Sequence, residues 1–113
     1  MFKEIKHKEL TGSPSEVFNS INRSLGHYKT WYKYVKIGIT GRPPENRFKE
    51  HLRDRPNWYR MDVLYKTSSP RYANKLENML VKHHKEYVLN SKPGGGSNLT
   101  EEGDNYLYVL LGN

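Results

Sequence analysis

Trp31-Tyr32-Lys33-Tyr34-Val35-Lys36-Ile37-Gly38-Ile39 is the most informative segment of the chain. Its β-branched and aromatic content predicts a strand. Alternation sorts it into two faces, because successive strand side chains point to opposite sides of a sheet. Val35, Ile37 and Ile39 form one face, of core character. Tyr32, Tyr34, Lys36 and Gly38 form the other, which carries phenols, an amine and a position where something can approach the backbone closely.

Working outward, Gly41-Arg42-Pro43-Pro44 breaks the strand, and a helix is expected over 44–54. Phe48 and Leu52 are four residues apart and bury together, while Arg47 and His51 share an adjoining face at the same spacing. Pro56 stops this helix, and residues 57–66 read as a second strand, with Met61, Val63 and Tyr65 alternating against Arg60, Asp62 and Lys66. Ser68-Ser69-Pro70 starts a helix over roughly 70–88, with Ala73, Leu76, Leu80 and Tyr87 as its apolar stripe. Glu77 falls inside that stripe, where a carboxylate is costly unless paired or ligated. Upstream, Ser13-Pro14-Ser15-Glu16 is a capping box, opening a helix over 14–25 that Gly26 is expected to end. Residues 2–10 suit an edge strand or an arm, and 105–111, apolar on both faces, a buried central strand. The order (β)αβαβα–loop–β predicts an α+β fold, a small mixed or antiparallel three- to four-stranded sheet flanked by helices.

The 113 residues suit one domain. Lys and Arg number 19 against 12 Asp and Glu, a net charge of +7 that points to a polyanion, nucleic acid first. No run of about 18 apolar residues and no signal peptide is visible, so an intracellular protein without a membrane span is expected. The absence of cysteine excludes disulfides, thiolate catalysis and thiolate zinc sites. His83-His84 are adjacent and read as exposed basic residues rather than as a metal pair, and Gly94-Gly95-Gly96 lacks the Gly-Lys-Ser/Thr of a phosphate loop.

Tyr34-Val35-Lys36-Ile37-Gly38-Ile39-Thr40, then Arg47-Phe48-Lys49-Glu50-His51, then Leu76-Glu77 with Asn90 thirteen residues on, resembles the GIY-YIG nuclease domain, in its Lys-Ile-Gly variant. The resemblance covers residues 28–96, leaving 1–26 as an N-terminal extension and 105–111 as a terminal strand. It implies a metal-dependent endonuclease acting on DNA in preference to RNA, with Mg²⁺ or Mn²⁺ as cofactor. Arg47 would then be the transition-state arginine, Glu77 the metal ligand, His51 and Asn90 supporting residues, and Lys36 would stand in place of the second motif tyrosine. A homodimer or an accessory protein would serve double-strand cutting. No Gly-Ile-Tyr precedes residue 36, and Gly26-His27-Tyr28 is a poor substitute that follows a helix. Tyr106-Leu107-Tyr108-Val109-Leu110 reads more like the missing strand, so the catalytic tyrosine stays open among Tyr28, Tyr34 and Tyr108. The second reading is a non-catalytic nucleic-acid-binding module on the same fold. In it Arg42, Lys49, Arg53, Arg55, Arg60 and Lys82 contact phosphates while Trp31 and Tyr32 stack on bases. A basic inhibitor of an acidic enzyme is a third class.

Overall fold

The computed structural model describes residues 3–85, 88 and 99–113. Its elements are β1 (Glu4–Leu10), α1 (Pro14–Trp31), β2 (Tyr34–Thr40), α2 (Pro44–Asp54), β3 (Trp58–Thr67), α3 (Pro70–His83) and β4 (Asn105–Gly112). The fold is α+β, with one mixed sheet of strand order β1-β3-β4-β2. Strand β1 runs parallel to β3, while β4 lies antiparallel between β3 and β2. The terminal strand is therefore central, as its two apolar faces predict.

Alternation along β4 builds two cores at once. Leu107, Val109 and Leu111 join Val35, Ile37 and Ile39 under α1 and α3. Tyr108 and Leu110 join Met61, Val63 and Trp58 under Phe48 of α2. So α1 and α3 cover one face and α2 the other. On β3 the register with β4 shifts twice, between Trp58 and Arg60 and between Val63 and Tyr65, and the second shift breaks the alternation in the core. Leu64 and Tyr65 consequently both enter the α1/α3 core. An inserted residue of this kind is a bulge, which spacing alone does not announce.

The capping box forms: Glu16 N–H donates to Ser13 Oγ at 3.4 Å, and Ser13 N–H donates to Glu16 Oε1 at 2.9 Å. Gly26 does not end this helix. The buried stripe Val17, Ile21, Leu25 continues to Tyr28, and α1 stops only at Tyr32, whose N–H donates to the Tyr28 carbonyl at 2.8 Å. Anchoring Tyr28 in the core outweighs the roughly 1 kcal/mol cost of a mid-helix glycine. Trp31, expected in a strand, therefore sits at the end of a helix. Strand β1 and helix α1 are parts of the sheet and its cover rather than an appendage, since β1 pairs with β3 and α1 supplies core residues. Helix α3 ends at His83, short of residue 88, and Tyr87, Asn90 and the triple glycine lie outside the described residues.

Candidate active site

Tyr108 is where the pieces meet. On β4 it stands opposite Gly38 of β2, and its ring occupies the space a side chain at Gly38 would need. A Cβ built at Gly38 would lie 2.3 Å from both Cζ and the hydroxyl oxygen of Tyr108. The close approach expected at this glycine is thus made by the protein's own phenol.

Helix α2 brings two groups to that phenol. His51 Nε2 lies 2.8 Å from the Tyr108 hydroxyl, with the two rings edge to face. Arg47, one turn earlier, sets its guanidinium charge beside the same oxygen. The hydrogen bond is satisfied when the phenol donates to Nε2 of a neutral imidazole. Burial pushes the Tyr108 phenol up to about 12; the Arg47 charge opposes this, and the Glu77 and Glu50 charges add to it. Burial, then the cations Arg47 and Lys36, holds His51 down at about 4. Near neutral pH the pair is therefore phenol and uncharged imidazole.

Glu50 is the residue that sequence reading missed. It accepts from Arg42 through both terminal guanidinium nitrogens, at 2.8 and 2.7 Å, and from Arg47 at 2.7 Å. These two arginines hold its carboxylate down at about 2. The Arg47–Glu50 spacing of i, i+3 was a legible signal. The Arg42 contact depends on how the loop after β2 folds back on α2, which spacing does not reveal. Backbone N–H of Arg42 donates to the Thr40 hydroxyl at 3.0 Å and fixes that turn.

Beside this cluster a cavity of about 370 Å³ is lined by Lys36, His51, Asp54, Arg55 and Trp58. The Arg55 guanidinium lies 4.9 Å from the Tyr34 ring centroid and 5.4 Å from that of Trp58. Glu77, 3% exposed, is buried on α3 as its place in the stripe predicts, and its charge reaches the Tyr108 phenol. Among the described residues no group of three or more His, Cys, Asp or Glu gathers as a metal site.

Of the three candidate tyrosines, Tyr108 is the one that meets both Arg47 and His51. Tyr34 packs against Arg55, and Tyr28 donates to Asp62 on the opposite face of the sheet. Burial, then its hydrogen bond to Asp62, pushes the Tyr28 phenol far above its ordinary range. Asp62, expected on a polar strand face, is fully buried because α1 covers it. Arg60, expected at phosphates, is committed to Asp62, with Nε 2.7 Å from Oδ1. Trp31 and Tyr32 line a separate cavity with Arg60. Lys49 and Arg53 on α2 and Lys82 on α3 are exposed. Of the two adjacent histidines, His84 is buried rather than exposed, and its Nε2 lies 2.5 Å from Asn22 Oδ1.

Comparison of the chain with known protein families, with curated proteins and with solved structures returns no match in any of the three. Among the described residues no helix is long and apolar enough to cross a membrane.

Proposed function

We propose that the chain is an endonuclease of the GIY-YIG type, hydrolysing phosphodiester bonds in DNA inside the cell. One observation carries this reading: a tyrosine, an arginine and a histidine from two distant segments converge on one oxygen, with His51 2.8 Å from the Tyr108 hydroxyl. The antiparallel pairing of β4 with the Lys36-Ile37-Gly38 strand supports a rearranged order in which the terminal strand supplies the missing motif.

In this reading the phosphate enters the cavity lined by Lys36 and His51. Arg47, whose side chain is 29% exposed, swings from the phenol to a non-bridging oxygen and neutralises the charge that grows there. Its departure opens the phenol oxygen to the attacking water. Tyr108 then accepts the water's proton while passing its own to His51, which is uncharged and able to take it. Glu77 would be the carboxylate that holds magnesium or manganese, ions that take one or two carboxylates and fill their other positions with water and substrate phosphate. When bound, the ion would supply positive charge at the leaving oxygen.

Binding without cleavage is the second reading. It is favoured by the burial of Tyr108, 1% exposed and held neutral at physiological pH. Supercoiled plasmid separates the two. With Mg²⁺ the wild-type protein is expected to nick it, and Tyr108→Phe to lose at least ~100-fold in rate, the usual weight of a general base. The same variant should bind duplex DNA within about twofold of wild type, measured by fluorescence anisotropy in EDTA, since it removes one oxygen from a buried ring. Full cleavage by Tyr108→Phe, or no cleavage by the wild type, overturns the proposal.

A further inference from the structure

On the α1 side of the sheet, where α1 ends and β3 begins, a cavity of about 450 Å³ is lined by His27, Trp31, Tyr32, Tyr59, Arg60 and Asn113, with Tyr28 at its base. Two of its aromatic walls, Trp31 and Tyr59, do not serve the core. Trp31 is 74% exposed and Tyr59 55% exposed, so neither ring is placed by the need to leave water. The Tyr32 ring lies 6.3 Å from that of Tyr59 and 6.4 Å from that of Tyr28. The Arg60 guanidinium sits 5.5 Å from the Tyr32 centroid.

The floor of the cavity is rigid. Arg60 is tied to fully buried Asp62 at 2.7 Å through Nε and at 3.0 Å through a terminal nitrogen, and Tyr28 donates to the same carboxylate. One wall is tied as well, because Lys33 N–H donates to Asn113 Oδ1 at 3.1 Å. Exposed Trp31 and Tyr59 beside a tethered guanidinium offer a flat ring apolar faces and a cationic partner.

We infer that this cavity is a stacking site for an unpaired nucleobase on a single strand that continues from the candidate active site. The choice of a nucleic-acid strand rests on the endonuclease reading; the slot itself does not. Continuity comes from β3, where Trp58 lines the cavity beside His51 and its neighbour Tyr59 lines this one on the opposite face. A strand leaving the first cavity therefore rounds the end of the sheet to reach the second. A base paired within a duplex has no open face to offer, so this cavity takes an unpaired base of the strand.

Anisotropy of a labelled 12-nucleotide single strand, measured in EDTA so that cleavage plays no part, tests the inference. Trp31→Ala and Tyr59→Ala are each expected to weaken binding roughly tenfold, within the range reported for loss of one base–aromatic stack, and Trp31→Phe to restore most of it. Both side chains are exposed, so these variants fold. Unchanged affinity in both alanine variants, or no single-strand binding by the wild type, overturns the assignment. So does displacement of the strand by adenosine monophosphate at equal base concentration, which would make the slot a free-nucleotide site. A shift from dimer to monomer in Trp31→Ala by sedimentation would make it an interface between copies of this chain. Because strand binding is read without cleavage, a protein that never nicks plasmid still gives a decisive result here.

Discussion

Glu50 divides its carboxylate between Arg42 and Arg47, and this sets where the Arg47 charge can go. With its carboxylate held down at about 2, the clamp persists at any pH where DNA is intact. Ion pairs this exposed contribute little to folding. Their proposed effect is positional: Glu50 keeps Arg47 beside Tyr108 and masks two cations that would otherwise hold phosphates indiscriminately. Glu50→Gln should therefore separate binding from turnover. Duplex affinity at low salt is expected to rise about threefold, with the salt dependence steeper by close to one phosphate contact. Plasmid nicking is expected to fall roughly tenfold, because an arginine no longer held in place reaches its productive position less often. Anisotropy across a salt series, set beside nicking rates, checks both. Loss of binding and nicking together would show that Glu50 merely supports the helix.

The pairing of β2 with β4 makes the site a property of two strands rather than of one motif. Gly38 is the contact that allows it, since a Cβ there would stand 2.3 Å from the Tyr108 ring and hydroxyl. Tyr108 is 1% exposed and cannot move away cheaply. Gly38→Ala is expected to cost about 1–3 kcal/mol and to remove nicking along with it. Gly26→Ala is the matching control. It adds a methyl where nothing lies within 4 Å, inside a helix, and should raise stability by roughly 0.5–1 kcal/mol. Thermal melts of both variants check the opposite signs. These glycines also mark how much could be read in advance. The faces of β2, the capping box at Ser13, the Arg47/His51 face and the two-sided burial of β4 all follow from local periodicity, and the structure has them. Gly26, read as a helix stop, lies mid-helix because Tyr28 finds a place in the core, a tertiary fact. The bulge at Leu64 and the burial of Asp62 likewise depend on which element covers β3. Arg42 reaches Glu50 across eight residues and a turn, beyond what helical spacing reports.

At the scale of the whole molecule, two buried histidines couple the fold to pH. His51 lies between α2 and the sheet, and His84 just beyond α3 against Asn22 of α1. Burial first, then neighbouring positive charge, holds each at about 4. In the unfolded chain each returns to about 6.5. The folded state thus binds fewer protons than the unfolded state between those values, and stability rises with pH across that window. The contribution is complete above about pH 6.5 and is lost as pH falls towards 4, the direction expected of any group whose folded pKa is depressed. Glu50 is held down at about 2 and Glu16 is also lowered, so their own losses begin only as pH falls through the ordinary carboxylate value of 4.5 and fall mostly below the histidine window. Each histidine at pH 5 should cost on the order of 1–2 kcal/mol, which together lower the melting temperature by roughly 8–16 °C relative to pH 7.5. Charge repulsion in a chain that already carries +7 works in the same direction but belongs to no single residue. The double variant His51→Gln/His84→Gln separates the two effects. It should melt lower than wild type at pH 7.5, having lost fitted partners, yet vary much less between pH 7.5 and 5. Calorimetry at four pH values across that interval gives both slopes. If the wild type and the double variant fall in parallel, the pH dependence comes from the overall charge, and neither buried imidazole is held neutral by the fold.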